Sequence, residues 1–180
     1  CLNKEQGKQT GLVYSAQIYL AVSNKINIPQ RRKAIASGQA PRHFFISLSD
    51  ALKGDLYEPD SDTFTKPALI HKILNTPPHL IDLANRVAHN CADDDVIFCN
   101  GEAIALPIAY ALKKTGKKTK LSSFGHNLYR PRVIVANTLW GCLDRVDQFL
   151  VLTKESAEKS AKNKIYIEQT DDQMFSPAPN

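Results

Sequence analysis

Residues 95–127 constrain the fold more than any other stretch, because they predict a strand, a helix and a second strand in succession. Residues 95–99 are a short apolar run, residues 102–115 have a helical pattern, and residues 121–124 are a second apolar run. In such a unit the two strands lie parallel and the crossover is right-handed. We therefore predict a parallel sheet around this unit.

A polar junction follows each of these two strands. Residues 100–102 (Asn-Gly-Glu) follow the first, and residues 125–127 (Gly-His-Asn) follow the second. The carboxyl ends of parallel strands lie at one edge of a sheet, where helices begin and ligands usually bind. The two junctions are the first candidates for a functional site.

The rest of the chain alternates predicted strands with predicted helices, which favours an α/β fold: a Rossmann-like parallel sheet with helices on both faces. Strands are expected near residues 43–48, 96–99, 121–124, 148–152 and 164–167. Helices are expected over residues 11–24, 30–36, 78–92, 102–115, 133–143 and 154–162. Residues 68–74 fit either a short helix or a strand.

Both ends of the sequence suggest part of a larger protein. The chain starts without Met and enters a predicted helix at Gly11, so no opening strand is visible, and residues 175–180 are Pro-rich, like a linker. We expect a Rossmann-like domain over residues 1–176 without its first strand, the start of a linker at 177–180, and an absent C-terminal domain.

Composition is that of an ordinary globular chain of 180 residues, with 43% hydrophobic residues. Neither a signal peptide nor a run of the ~20 apolar residues that span a bilayer is visible, so the default expectation is cytoplasmic. The net charge of +5 includes five lysines between residues 113 and 120. They could touch nucleic acid or anionic lipid, but we favour a solvated helix end, where lysines complement the dipole.

The sequence lacks the common signatures of metal and nucleophile sites. Its four cysteines, at positions 1, 91, 99 and 142, form no Cys-x-x-Cys pair and have no histidine at metal spacing, so we expect buried, reduced thiols and no metal. It has no Gly-x-Ser-x-Gly elbow, P-loop or His-Glu-x-x-His motif. These absences weigh against an α/β hydrolase, a P-loop nucleotidase and a zinc protease.

Three residues could carry chemistry at the predicted edge. His126 could hold a hydroxyl or a phosphate, or move a proton, although a histidine at a strand end can also be a structural hydrogen-bonder. Glu102 could accept hydrogen bonds from a polyol or act as a base, or simply favour a helix N-terminus. Gly11, before a predicted helix, could open an anion-binding loop or mark a plain helix start.

Several stretches, in this order, resemble the N-terminal half of a family 4 glycosyltransferase with the two-domain GT-B fold. Thr10-Gly11 resembles the family's glycine loop, where Gly-Gly is usual. Residues 95–100 (DVIFCN) resemble the strand that ends in the acceptor cleft, and residues 121–126 (LSSFGH) the strand that ends in the cleft histidine.

Two later stretches extend the resemblance. Residues 146–156 (VDQFLVLTKES) resemble a strand and helix start of the family, and residues 167–177 (IEQTDDQMFSP) its inter-domain crossing. Within the crossing, Asp171, Phe175 and Pro177 match the family pattern, whereas Glu168-Gln169 replace the usual Asn-Gly.

The resemblance implies a hexosyltransferase-like enzyme that transfers a sugar from a nucleotide-sugar, usually with retention and without a metal. The N-terminal domain would bind a glycan, lipid or small-molecule acceptor, and the absent C-terminal domain would bind the donor, so this part alone should be inactive. His126 would be catalytic, between acceptor and donor. Gly11, Gly101, Glu102 and Asn127 would bind acceptor or donor.

Two other functions stay open at this point: a non-catalytic Rossmann-like binding module, and another GT-B enzyme such as a nucleotide-sugar epimerase. No nucleic-acid partner is expected, because no aromatic residues are interleaved with the basic run. Peripheral contact with the cytoplasmic membrane face is also open, through Arg130, Arg132 and Trp140. The simpler interpretation is that Trp140 packs in the core.

Overall fold

A computed structural model describes residues 16–60, 65–151 and 153, and the backbone of residues 167–169. Within these ranges six strands and six helices follow one another along the chain. The strands are β1 (Ile18–Ala21), β2 (Asp55–Tyr57), β3 (Val96–Cys99), β4 (Lys120–Phe124), β5 (Gln148–Val151) and β6 (Ile167–Gln169). The helices are α1 (Ile28–Ala36), α2 (Phe44–Leu52), α3 (Leu69–Leu74), α4 (Pro78–Asn90), α5 (Glu102–Thr115) and α6 (Pro131–Trp140).

The six strands form one sheet in the order β2-β1-β3-β4-β5-β6, and each neighbouring pair is parallel. The predicted α/β, Rossmann-like class is therefore confirmed. The chain moves from β1 outward to β2 and then crosses to β3 on the other side of β1. This reversal places a topological switch point between the carboxyl ends of β1 and β3, where open α/β sheets usually bind ligands.

Helices cover both faces of the sheet, and β1 shows how the sequence specifies this. Tyr19 and Ala21 belong to the larger core cluster, which includes residues of α4, α5 and α6. Leu20 and Val22 belong to a smaller cluster with Phe45 of α2 on the opposite face. A strand that is buried on both faces has a continuous run of apolar residues. Apolar and polar residues alternate only where one face of the strand contacts solvent.

That double burial explains the first wrong prediction. Residues 11–24 were expected to form a helix, but Ile18–Ala21 is a strand at the centre of the sheet. Its apolar residues showed no alternation, so their spacing resembled a helical one. The domain was expected to lack its first strand because residues 11–24 were predicted to be helical. That expectation is wrong as well, since β1 lies within these residues. Gly11 itself lies outside the described residues.

A second prediction, a strand over residues 43–48, is also wrong. These residues begin α2, which extends to Leu52 and buries Phe45, Ile46 and Ser49 at helical spacing. The aromatic and β-branched residues favoured a strand locally, but packing of the longer segment against the sheet overrides that propensity. The short edge strand β2 was not predicted.

Most other predicted elements are confirmed within a few residues. They include the short helix near 30–36, now α1, the helix near 78–92, now α4, and the whole unit β3-α5-β4. Residues 69–74 are helical, and the last predicted strand, 164–167, overlaps β6 only at Ile167. The helix expected over 154–162 and most of the crossing motif lie outside the described residues.

Two of the five lysines in the basic run bind the ends of other helices. Lys113 donates to the carbonyl of Trp140 at 2.6 Å, at the end of α6, and Lys117 donates to the carbonyls of His89 and Cys91, at the end of α4. Gly116 stops α5 with a left-handed φ of 70°. Cations at helix C-termini complement the dipoles, but the ends bound by these two lysines belong to α6 and α4, whereas the sequence suggested a solvated end of α5.

Two further expectations concern apolar residues. Cys91, Cys99 and Cys142 are free and buried, and Trp140 packs, partly buried, against the larger core cluster. Among the described helices, none is both long and apolar enough to cross a membrane.

Candidate functional site

The candidate site centres on His126, in the turn after β4. Its backbone N–H donates to Oε2 of Glu102, the first residue of α5, at 3.1 Å. The two polar junctions predicted to face each other are therefore joined directly by a hydrogen bond. His126 is exposed and Glu102 half-buried, so the imidazole faces solvent at the carboxyl edge of the sheet.

Asn127 extends this connection to the start of α6. With the side-chain amide in the orientation that satisfies both neighbours, its nitrogen donates to the carbonyl of His126 at 3.3 Å, and its oxygen accepts from the guanidinium of Arg130 at 2.9 Å. The N–H of His126 is thus held by Glu102 of α5, and its C=O by the side chain of the next residue in the turn, Asn127. The backbone that carries the imidazole is therefore restrained at both of its polar groups.

The turn itself depends on Gly125. A Cβ at this position would lie 2.7 Å from Cδ1 of Leu128 and 3.4 Å from Cδ1 of Phe149. Leu128 is 1% exposed, so it has little room to move. Because Gly125 has no side chain, Leu128 can pack against the turn, and His126 lies on the exposed side of it.

Gly101 lies against the imidazole from the other strand end. A Cβ here would be 3.4 Å from Cδ2 of His126, an ordinary contact distance, and its φ of 167° is extended backbone that any residue adopts. Gly101 is therefore placed beside His126 as predicted, but the backbone conformation does not require glycine.

An aromatic row that sequence reasoning missed leads to His126. Phe45 stacks on Phe98 at 5.9 Å, Phe98 meets Phe124 edge-on at 5.3 Å, and Phe124 stacks with the His126 ring at 6.4 Å between centroids. Phe44 adds an exposed ring, 6.4 Å from Phe124 and 59% exposed. The row was missed because residues 43–48 were assigned to a strand, which would not place these rings over β3 and β4.

The switch point lies beside this site. The Oδ1 atom of Asn100 accepts from the backbone N–H of Ser23 at 2.9 Å, and so connects the ends of β3 and β1. The loop after β1, residues 22–27, contains no glycine. Any glycine loop at Gly11 is outside the described residues and remains a prediction.

A carboxylate occupies the start of α1, the first helix after β1. Glu58 accepts from the backbone N–H groups of Ile26, Asn27 and Ile28, at 2.6, 2.8 and 3.0 Å. These amides would otherwise be available to a ligand anion, because the first turn of a helix has unpaired donors. The chain thus satisfies this anion-binding position with its own side chain.

A cavity of about 90 Å³ opens on the other side of Glu102. It lies where the loop before α4, the start of α5 and the start of α6 meet. Its polar lining comprises Asn75, Thr76, Glu102, Arg130 and Arg132. Glu102 and Arg130 therefore belong both to this cavity and to the hydrogen bonds that hold His126.

A thiolate nucleophile at this edge is disfavoured. Cys99 ends β3 immediately before the site, but complete burial raises the pKa of its thiol far above the ordinary range. Burial likewise raises the pKa of Cys142 to about 11. Nucleophilic cysteine chemistry needs an accessible thiolate, so Cys99 serves as a small core residue.

Among residues 16–60, 65–151 and 153, no cluster of three or more His, Cys, Asp or Glu side chains could hold a metal ion. Comparison of the whole chain with protein-family models, curated proteins and solved structures gave no match. The molecule is thus an α/β protein with a polar cleft at the carboxyl edge of its sheet.

Proposed function

We propose that this chain is the acceptor-binding domain of a retaining glycosyltransferase, one half of a GT-B enzyme whose donor-binding domain is a separate unit. The co-substrate would be a nucleotide-sugar, and the acceptor a glycan, lipid or small molecule. The proposal rests on the order of the sequence motifs and on the position of His126. No metal is required by the residues proposed to act.

The observation that carries the proposal is the fixed, exposed imidazole of His126 at the carboxyl edge. Glu102 and Asn127 hold its backbone from two sides, while Gly101 lies beside its ring. A side chain that serves only packing would not need an exposed ring on a backbone restrained at both N–H and C=O. This arrangement suits a group that must meet substrates at a defined point.

The chemistry available to His126 is hydrogen bonding near neutral pH. Its imidazole can accept a proton from an acceptor hydroxyl or donate to an oxygen of the sugar or its phosphate. Stabilisation of the departing nucleotide phosphate would come mainly from the donor domain, as electrostatic preorganisation. Phe124, stacked on the imidazole, restricts its orientation and offers an apolar face next to the reacting groups.

The test is sugar transfer by the full-length polypeptide encoded by the gene, assayed with a panel of nucleotide-sugars and acceptors. His126→Ala should lower turnover by about 100-fold or more, the usual contribution of a proton-transferring side chain. His89→Ala, an exposed histidine at the end of α4, is the matched control and should turn over normally. Equal activity in both variants, with both folded by circular dichroism, would remove His126 from catalysis.

A non-catalytic binding module is the second candidate. It is favoured by one observation: the Glu102 carboxylate, a proposed acceptor-binding group, is already engaged by the N–H of His126. Such a module would bind a sugar or nucleotide-sugar with no turnover by the full-length polypeptide. Product formation that depends on His126 distinguishes the two candidates.

We also propose that the protein is cytoplasmic and contacts the membrane face through α6. Ile134, Val135 and Leu139 of this helix are 40, 44 and 59% exposed, and Arg130 and Arg132 lie at its start. Exposed apolar residues beside basic ones are typical of interfacial helices on anionic bilayers. An acceptor lipid would then be presented close to His126.

Co-sedimentation with vesicles of phosphatidylcholine and phosphatidylglycerol tests this contact. Leu139→Asp should reduce the bound fraction strongly, because a carboxylate opposes both the apolar and the electrostatic attraction. Leu52→Asp, which changes a 44% exposed leucine on α2, is the matched control. Equal loss in the two variants, or no sedimentation of the unmodified protein, would exclude α6 as a membrane contact.

A further inference from the structure

We infer that the cavity beside Glu102 is a binding subsite for a phosphate monoester carried by the acceptor. That the phosphate belongs to an acceptor substrate rests on the proposed function. The subsite itself is argued from the charge and position of its lining residues. The ligand class that follows is a phosphorylated sugar or polyol, or a lipid whose headgroup ends in such a phosphate.

The size of the cavity fits a single functional group. Its volume of about 90 Å³ is well below the ~300 Å³ at which pockets begin to accommodate whole small molecules. One substituent of a substrate would therefore enter it, while the rest lies outside, towards His126.

The charged side chains of the cavity favour an anion. Arg130 and Arg132 both line it, and no carboxylate in the described part of the chain lies within ion-pair distance of either guanidinium. The single lining carboxylate, Glu102, already accepts the N–H of His126. The planar guanidinium fork can bind two oxygens of a tetrahedral phosphate at once, which an ammonium group cannot do with the same fixed geometry.

Three helix N-termini around the cavity add positive charge from their dipoles. Pro77 and Arg130 are the N-caps of α4 and α6, Glu102 is the first residue of α5, and all three line the cavity. None of these three helices has a side-chain cap in the described structure. Their positive dipole ends therefore reinforce the two arginines, which remain the main determinants.

Hydrogen-bond acceptor groups near the cavity would contact the part of the substrate that carries the phosphate. Pro107 lies within α5 and supplies no N–H to the carbonyl of Ala103, one turn earlier. Ala103, Pro107 and Thr76 all line the cavity. A carbonyl and a hydroxyl beside two arginines suit a phosphate group with a neighbouring sugar hydroxyl.

Asn127 explains how the subsite could be coupled to His126. Its amide contacts both the His126 carbonyl and the Arg130 guanidinium. A phosphate drawn to Arg130 would therefore be two side chains from the backbone that carries the imidazole. This spacing would hold a hydroxyl of the same molecule near His126 while the phosphate stays out of the reaction.

The test is an NMR titration of the 180-residue chain, labelled with ¹⁵N, with glucose-6-phosphate and separately with glucose. Saturable shifts of the Ala103 and Arg132 amides are expected with the phosphate ester and not with glucose. Arg132→Ala should weaken that binding by about tenfold, the usual effect of losing one charge-assisted hydrogen bond. The control Lys114→Ala removes an exposed cation from the last turn of α5 and should bind normally.

A second arm replaces glucose-6-phosphate by phosphatidic acid in bicelles of phosphatidylcholine. If Arg132-dependent shifts of the Ala103 amide occur only with phosphatidic acid, the phosphate is carried by a lipid. If they occur with glucose-6-phosphate, it is carried by a soluble sugar. No saturable shift in either arm, or equal binding by Arg132→Ala and Lys114→Ala, would overturn the subsite. Phosphate binding that depends on Arg132, without sugar transfer by the full-length polypeptide, would leave the subsite standing and exclude the glycosyltransferase.

Discussion

The carboxylate of Glu102 and the backbone N–H of His126 form a 3.1 Å hydrogen bond between the helix that follows β3 and the turn that follows β4. It joins two strand ends separated by a whole helix in the sequence. Because Glu102 binds the backbone of His126, the imidazole remains available for a substrate. Glu102 is thus a positioning residue in the free protein, whatever it binds in a complex.

Glu102→Ala should leave the His126 N–H without its partner and destabilise the protein by about 1 kcal/mol, the usual net value of one hydrogen bond. Glu102→Gln keeps an acceptor oxygen and should lose less. Urea unfolding of the two variants measures the difference, and the ¹⁵N shift of the His126 amide reports the local change. Equal unfolding of Glu102→Ala and the unmodified protein, with an unchanged His126 shift, would contradict the positioning role.

Gly125→Ala should destabilise the protein by about 1–3 kcal/mol, the range for overpacking a filled core. The new methyl would lie 2.7 Å from Cδ1 of Leu128, which is buried. Gly101→Ala is a matched comparison, since its Cβ meets the His126 ring only at an ordinary 3.4 Å. Thermal unfolding should therefore separate the two substitutions, and equal melting temperatures would refute the packing argument.

Glu58→Ala should lower the free energy of unfolding by about 1.5–3 kcal/mol, as for hydrogen bonds to a charged group. Three backbone N–H groups before and within α1 would lose their shared acceptor. Asp60→Ala removes a nearby exposed carboxylate whose ion pair with Arg86 is 3.5 Å long, so it should change stability by less than about 1 kcal/mol. Chemical denaturation of both variants makes the comparison, and a larger loss for Asp60→Ala would reverse our ranking.

His71 should make the protein less stable in mild acid. The ring is buried against Tyr110 and its Nδ1 has no partner among the described residues. Burial lowers the pKa of His71 below the ordinary 6.5. The unfolded chain therefore binds the proton more readily, and stability falls as the pH drops through about 6.5 towards the lower folded-state pKa.

The measurement for His71 is urea unfolding at about pH 7.5 and about pH 5.5, on either side of the usual histidine pKa. His71→Phe keeps an aromatic ring against Tyr110 without a titrating group, so its loss of stability on acidification should be smaller. His89→Gln, at an exposed position, should retain the full loss. An unchanged pH dependence in His71→Phe would assign the acid sensitivity to other groups.

Local sequence patterns predicted a segment correctly where it has one buried face or a clear boundary residue. The helix α4 shows regular helical spacing after two prolines, and α5 ends at a glycine with positive φ, as predicted. They failed at Ile18–Ala21, which is buried on both faces, and at Phe44–Leu52, whose local propensity favours a strand. In both cases the partner surface decides the structure, and a short window of sequence does not contain it.

The sequence by itself determined the parallel α/β class and placed His126, Glu102 and Gly101 at one edge, because strand ends and helix starts are encoded locally. Only the tertiary structure decided that Glu102 holds the backbone of His126, that Asn127 connects it to Arg130, and that aromatic rings from α2 pack against Phe98 and Phe124. The first and the last of these relationships join residues far apart in the chain. They depend on strand order and helix packing, which no single stretch of sequence specifies.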